Sequence, residues 1–191
     1  MKLLYLTGAP ATGKSTITDV ITQINPSIQI IRYSEEIKEF LAQSKRGEFT
    51  TLQLREASAK IVSYRDIDNI DQYILSKIQD STAKYIVLES HALTVESYGF
   101  RATPFSIQML QMMAPNLIVC LYSESDVIFE RIKNNPHGRL MQNIESVQMG
   151  QFLQMSLALH YGILSNAEIY FINSQQESKI IANQLVDMLT G

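Results

Sequence analysis

The sequence predicts an α/β protein, a five-stranded parallel sheet held between two layers of helices. Three observations carry this. Five short apolar runs, "KLLYLT", "IQIIRY", "KYIVLES", "NLIVCLY" and "EIYFIN", are separated by stretches with helical periodicity. Several of these runs are near-continuously hydrophobic, as strands covered on both faces must be. The first run also ends in a small-residue turn, "GAPATGKST" (8–16), that opens directly into a helical pattern.

Taken in order, the first strand leads to a helix over 14–23. The second strand follows, and Ser34 is expected to cap a helix over "EEIKEFLAQSK", which carries acids in its first turn. "RGEF" (46–49) breaks the pattern. Across 52–81 the residues Ile67, Ile70, Ile74 and Ile78 recur at helical spacing beside Tyr73, in one helix or more. After the third strand, "HALTVESYGFRA" reads as a loop. Thr103-Pro104 then reads as an N-cap with proline at the first helical position. Met109, Met112 and Met113 fall at helical spacing and read as core, with an interface as the alternative. Ser123 and Asp126 have capping-box spacing after the fourth strand. "NNPHGR" (134–139) is a loop, 143–165 an amphipathic helix, and Ser174/Glu177 a second capping box that opens the last helix.

The chain has 191 residues, 46% hydrophobic and 18% charged, which suits a single well-filled domain over 1–191 and not a disordered chain. Its net charge of −3 offers no general attraction to nucleic acid or to an anionic membrane. The one cysteine, Cys120, lies in an apolar strand, so no disulfide can form within the chain, as expected in a reducing compartment. The apolar run at 3–6 is too short for a signal peptide, and no run approaches the ~18 residues of a membrane span. The expected location is the cytoplasm.

The opening turn has a specific chemistry. Gly8, Ala9, Pro10, Ala11, Thr12, Gly13, Lys14 and Ser15 match G-x-x-x-x-G-K-[ST] in full, and Thr16 continues into the helix. Small residues let the backbone wrap a phosphate and aim successive N–H groups at it. The helix beginning near Lys14 adds the positive end of its dipole. Lys14 supplies a mobile charge for β- and γ-phosphates, and the Ser15 hydroxyl is a ligand for Mg²⁺. A nucleotide triphosphate is the expected ligand.

Such a loop alone does not separate a kinase from a hydrolase or a switch. Glu89 ends the third strand, where a carboxylate can hold Mg²⁺ beside the phosphates or simply cap the strand. His91 can sense a phosphate, polarise a water, or be an ordinary loop histidine. Four arginines are candidates for anion contacts: Arg55 after the "RGEF" break, Arg101 after Glu89, and Arg131 and Arg139 around "IKNNPHG". Guanidinium suits bidentate phosphate contacts, with a surface ion pair as the plain alternative for each.

At these residues the chain resembles the archaeal-type adenylate kinases, a branch of the P-loop nucleoside monophosphate kinases. "LESHALTV" is similar to the family's strand ending in an acid-x-His-like element. "YGFRATP" resembles its Gly-Tyr, proline-rich loop. "APNLIVCLYSESDVIFERI" and "QFLQMSLALHYGILSNAEI" resemble the strand and helices around its lid. The resemblance is strongest over 1–35 and 84–173. It implies ATP·Mg²⁺ on Gly8–Thr16 and a monophosphate site in the helices of about 34–82. It also implies a short lid at about 131–141 and, in some members, a trimer. Carried over by residue, Lys14 and Ser15 transfer directly, Glu89 takes the position of the metal-holding acid, and Arg131 and Arg139 take lid arginine positions, so that Lys14, Arg131 and Arg139 act on the transferring phosphoryl. Apart from the resemblance, Ser34, Arg55, His91 and Arg101 are assigned to the acceptor side. Three departures thin or alter the pattern. His137 stands where a lid arginine is expected, Met155 where a basic residue follows the lid, and Arg101 where an apolar residue is usual.

The expected function is transfer of a phosphoryl group from ATP to a nucleoside monophosphate, AMP above all, with a homo-oligomer allowed. Two other readings stay open: a nucleotide switch or assembly factor with slow ATP hydrolysis, and a kinase for another small phosphoacceptor.

Overall fold

The computed structural model describes residues 1–44, 49–56, 58–136, 139–140 and 142–191, without the side chains of Thr51, Arg55, Glu56, Ser58 and Ala59. The chain begins β1 (Lys2–Gly8), α1 (Lys14–Ile24), β2 (Ile28–Arg32) and α2 (Tyr33–Gln43). It continues through α3 (Thr51–Glu56), α4 (Ser58–Ile61), α5 (Tyr64–Gln79) and β3 (Tyr85–Glu89). Then come β4 (Leu93–Glu96), β5 (Gly99–Ala102), α6 (Ile107–Met113) and β6 (Leu117–Tyr122). The rest is α7 (Ser125–Asn134), α8 (Ile144–Ser165), β7 (Glu168–Asn173) and α9 (Ser178–Thr190).

Alternation along β1 shows why three layers form. Leu3 and Tyr5 face one side, where they meet α5, α6 and α8 through residues such as Ile70, Ile74, Leu110 and Ala158. Leu4 and Leu6 face the other, against Ile17 and Ile21 of α1 and Ile181 and Leu185 of α9. Each fully buried aliphatic side chain contributes roughly 1.5–3 kcal/mol, so both faces of the central strand are committed to core. The sheet order is β2-β3-β1-β6-β7, every pair parallel. The chain moves from β1 out to β2 and back to β3, then crosses to β6 and β7. β1 is therefore the strand at which the winding reverses, and a crevice opens at its carboxyl end.

The expected five-stranded α/β fold is the observed one, and the burial of Cys120 in β6 agrees with its apolar setting. Several local expectations are corrected. "HALTVESYGFRA" is not a loop: β4 and β5 pair as an antiparallel hairpin, with Thr94 opposite Arg101. The hairpin is closed by the Thr103 N–H donating to the Ala92 carbonyl at 2.7 Å, so Thr103 does not cap a helix. Ser106 does so instead, accepting from Met109 N–H at 3.0 Å. A Ser106→Ala change is expected to remove about 1 kcal/mol and lower Tm by about 2–4 °C in a thermal melt.

Ser34 is not a cap either. β2 runs straight into α2, which puts Ser34 in the first helical turn. Ser123 and Ser174 are held by the sheet and its neighbours. Ser123 N–H donates to Gln151 Oε1 at 3.0 Å, and Ser174 N–H to the Tyr122 carbonyl at 2.7 Å. Their helices start later, at Ser125 and Ser178, with no side-chain cap bond. Among the described residues the 52–81 region is helical over Thr51–Glu56, Ser58–Ile61 and Tyr64–Gln79, the last opened by a capping box between Ser63 and Asp66, in keeping with one helix or more. Of the three methionines, Met109 and Met113 are core and Met112 is exposed. Met155 is partly buried against the main core.

α8 departs from the usual amphipathic pattern. Its buried side carries Val147, Gly150, Gln151, Gln154, Ala158, Tyr161 and Gly162. The small and amide residues let it lie close on the sheet and hydrogen-bond to it, Gln154 Nε2 donating to Thr7 Oγ1 at 2.9 Å. Met149, Phe152, Leu153, Leu159, Ile163 and Leu164 are exposed on its other side, while Met155 and Leu157 pack at the edge of the core.

Candidate active site

At the carboxyl end of β1 the chain must turn within a few residues into α1. Gly8 has φ of +148°, and a Cβ there would stand 2.6 Å from the Leu121 carbonyl oxygen. Gly13, at φ +90°, occupies the left-handed conformation just before α1. Both glycines of the motif are thus required by geometry. Thr12 Oγ1 donates to the Ala9 carbonyl at 2.8 Å and braces the loop from inside. Lys14 lies along the cradle, its ammonium donating to the carbonyls of Gly8 at 2.7 Å and Ala9 at 3.0 Å. It is 8% exposed.

Pro10 to Thr16 line one cleft of about 1130 Å³ that crosses the carboxyl end of the sheet. On one side of the loop lie Arg131, Asn134 and Asn135 of α7 and the turn after it, with Ser174 at the end of β7. On the other lie Tyr33, Ser34 and Ile37 of α2, Leu54, Val62 and Ile67, the turn Glu89–His91, and Thr94, Arg101 and Thr103 of the hairpin. The cleft is therefore two-ended, with the loop between.

Glu89 connects the loop to the sheet. Its Oε1 accepts from Ser15 Oγ at 2.7 Å and its Oε2 from Thr18 Oγ1 at 2.9 Å. Parallel pairing of β2 and β3 places Arg32 directly beside Glu89, Nε to Oε2 at 3.3 Å. Arg32 also donates to Thr18 Oγ1 at 2.9 Å and pairs with Asp19. Neither Arg32 nor Thr18 was expected from sequence. The signals were there: a cation ending a strand beside another that ends in an acid, and a hydroxyl one turn after Ser15. Adjacent oxygens on an octahedral Mg²⁺ with ~2.1 Å bonds lie ~3.0 Å apart. The 2.7 Å separation of Ser15 Oγ and Glu89 Oε1 suits two neighbouring positions on such an ion. Among the described residues no cluster of three or more His, Cys, Asp or Glu could hold a metal by itself, so a hard cation here would take the rest of its shell from water or ligand oxygens. With Arg32 gone, Glu89 loses its orienting partner. Arg32→Gln is expected to raise the Mg²⁺ concentration for half-maximal nucleotide binding by about 10-fold or more, read by titration calorimetry.

Arg131 and Arg139 both line the cleft. Arg131 Nη1 donates to the Ala11 carbonyl at 3.2 Å, tying α7 to the loop. Arg139 Nη1 lies 3.3 Å from the carbonyls of Asn135 and Pro136. On the opposite side Arg101 Nη2 donates to the Val62 carbonyl at 3.1 Å and links the hairpin to the start of α5. His91 and Ser34 line the same side. Arg55 lies on α3, with its side chain outside the described residues, as are His137 and most of "RGEF". Beneath Tyr33 is a group that sequence reading missed. Tyr33 Oη donates at 2.6 Å to Asp71 Oδ1 on α5, and Asp71 is 6% exposed. Burial pushes the Asp71 carboxyl up to about 6, against a smaller lowering by the tyrosine hydrogen bond.

A phosphate-binding loop at the reversal strand, a strand-end acid beside its serine, and arginines on a neighbouring helix and loop define a P-loop kinase. The chain belongs to a family described as AAA domain, whose model matches residues 7–148. Among curated proteins it is similar to the adenylate kinases of Pyrococcus horikoshii (25% identical) and Pyrococcus abyssi (26%), each alignment spanning 98% of this chain and 94% of the relative. The adenylate kinase of Methanococcus aeolicus is 23% identical over 91% of this chain and 90% of its own length. The resemblance to archaeal-type adenylate kinases is thereby borne out. Among solved structures, shikimate kinase from Acinetobacter baumannii in complex with shikimate superposes with a TM-score of 0.61 at 14% identity, over 98% of this chain and 92% of that one. That likeness supports the three-layer fold. Among the described residues no helix is long and apolar enough to cross a membrane.

Proposed function

We propose that this protein transfers the γ-phosphoryl group of ATP to a nucleoside monophosphate, AMP first among them, forming two nucleoside diphosphates. The single observation that carries the reading is the two-ended cleft with the phosphate loop at its middle and an arginine on each side, Arg131 and Arg101. In this assignment the whole chain is one kinase domain, with α2–α5 on the acceptor side and 131–141 as the lid.

The loop amides and Lys14 hold the β- and γ-phosphates, Lys14 exchanging its carbonyl partners for phosphate oxygens. Ser15 and Glu89 would hold Mg²⁺, which would offset the charge of the phosphate oxygens when bound. The bond from the β,γ-bridging oxygen to the γ-phosphorus breaks as an acceptor phosphate oxygen bonds to that phosphorus. The departing electron pair stays on the β-phosphate. No general base is needed, because the acceptor phosphate is already ionised. Arg131 and Arg139 stabilise charge on the transferring group, while Arg101, Arg55, Ser34 and His91 hold the acceptor. Tyr33, Ile37, Leu54, Val62 and Ile67 supply an apolar wall for its base.

A coupled assay of ADP formation with ATP and each nucleoside monophosphate tests this. Transfer to at least one of them is expected, and its absence from all while ATP still binds overturns the proposal. His91 stands in the cleft two residues from Glu89 and favours one further activity, slow hydrolysis of ATP with no acceptor present. In that case His91→Ala abolishes the acceptor-free rate, and an unchanged rate removes the histidine from it.

A further inference from the structure

Tyr33 lines the cleft where the proposed reading puts the acceptor's base, and what holds it there lies outside the cleft. α5 turns Ile67, Ile70, Ile74, Leu75 and Ile78 into the core, and Asp71 sits in the same stripe, 6% exposed. A carboxyl on an apolar stripe costs stability unless it is hydrogen-bonded. Among the described residues its one side-chain hydrogen bond comes from Tyr33 Oη, at 2.6 Å across 38 positions of sequence. Asp71 itself is not among the described residues that line the cleft. Core packing does not call for an acid at this position, where the same helix buries Leu75 and Ile78.

Tyr33 opens α2 directly after Arg32, the last residue of β2. No side-chain cap bond holds the start of α2. The junction is held from its two sides instead. Arg32 reaches Thr18 and Glu89 beside the phosphate loop, and Tyr33 reaches α5. The Tyr33 ring also meets Phe105 at 6.1 Å between centroids, and Phe105 packs in turn on Tyr161 at 5.6 Å. The ring is thus packed on one side, anchored at its hydroxyl and open to the cleft.

We infer that Asp71 is a positioning residue for the acceptor: by holding the Tyr33 hydroxyl it fixes the ring as a rigid wall against which the acceptor's base packs. The inference rests on the reading of that end of the cleft as the monophosphate site. A tyrosine side chain turns about two bonds, and a ring free to turn presents a different surface in each position. Ordering it as the base arrives costs binding free energy, whereas a ring already locked does not. At the edge of a cleft, where neighbours cannot surround the ring, its hydroxyl is the handle by which it can be fixed.

Steady-state transfer in the full chain at saturating ATP, with the acceptor monophosphate varied, tests the inference. Asp71→Leu fills the site but accepts no hydrogen bond. It is expected to raise the acceptor KM about 10-fold, with kcat at saturating acceptor within about 2-fold of wild type and the KM for ATP unchanged. The same variant is expected to melt higher at alkaline pH, because a buried charge is gone, so a loosened fold does not account for the KM. Asp71→Asn still accepts from Tyr33 and is expected to keep the wild-type KM. Tyr33→Phe removes the same hydrogen bond from its other end and is expected to raise the acceptor KM as Asp71→Leu does, the double variant being no worse than either. Ribose 5-phosphate, which carries the phosphate without a base, is expected to inhibit wild type and Asp71→Leu equally. An acceptor KM unchanged in Asp71→Leu overturns the inference and leaves the proposed function standing. So does a KM raised as much in Asp71→Asn, a KM raised equally for ATP, or inhibition by ribose 5-phosphate that weakens in step. A wild-type protein that transfers to no monophosphate overturns both.

Discussion

Lys14→Met is expected to lower ADP formation by ~10²–10³-fold or more at saturating acceptor, because it deletes a preorganised cation aimed at the transferring group. Methionine keeps the length and apolar stem of lysine, so the cradle stays filled. What is lost is the ammonium, which in the structure donates to Gly8 and Ala9 from within the loop. Since the same group holds the donor phosphates, ATP affinity falls along with turnover, and calorimetry with a non-hydrolysable analogue reads that directly. A Lys14→Met protein that binds and turns over ATP like wild type removes the phosphate-loop assignment and the proposed function with it.

Asp71→Asn is expected to stabilise the protein at neutral and alkaline pH. The carboxyl is raised from an ordinary value of 3.8 to about 6 by burial. A group raised on folding contributes fully below its unfolded value and loses that contribution as pH climbs through the folded one. Relative to a neutral side chain, Asp71 therefore costs nothing near pH 3.5. It becomes a liability between about pH 4 and 6 and stays one above. A shift of about two units corresponds to about 2–3 kcal/mol. Asparagine still accepts from Tyr33 Oη and never ionises. Its advantage over wild type is expected to reach about 5–10 °C in Tm at pH 8 and to vanish near pH 4. A Tm difference that does not change with pH excludes the carboxyl as its source. Tyr33 lines the cleft, so an ionisable group is kept under that wall at the expense of stability, a trade often found at functional sites.

Legibility in the sequence followed the range of the interactions involved. The five strands were readable because a buried parallel strand needs an apolar side chain at almost every position, and that need is local. The phosphate loop was readable for the same reason. Its chemistry comes from consecutive backbone groups, and Gly8 and Gly13 are demanded by dihedral angles that no distant residue sets. Helix starts were read less well. Ser34, Thr103, Ser123 and Ser174 all look like caps, but sheet rungs, a hairpin closure and an α8 glutamine determine where those segments begin. "HALTVESYGFRA" looked like a loop because four-residue strands in a hairpin carry too little alternation to stand out.

Local spacing alone determined that this chain cradles a polyphosphate, since the eight residues involved are neighbours along the backbone. Tertiary structure alone decided that Arg32 orients Glu89, that Asp71 sits beneath Tyr33, and that Phe152 and Ile163 of α8 point away from the core. Each of those facts joins or separates residues tens of positions apart. Strand register and helix rotation govern such meetings, and both emerge only when the whole core is packed.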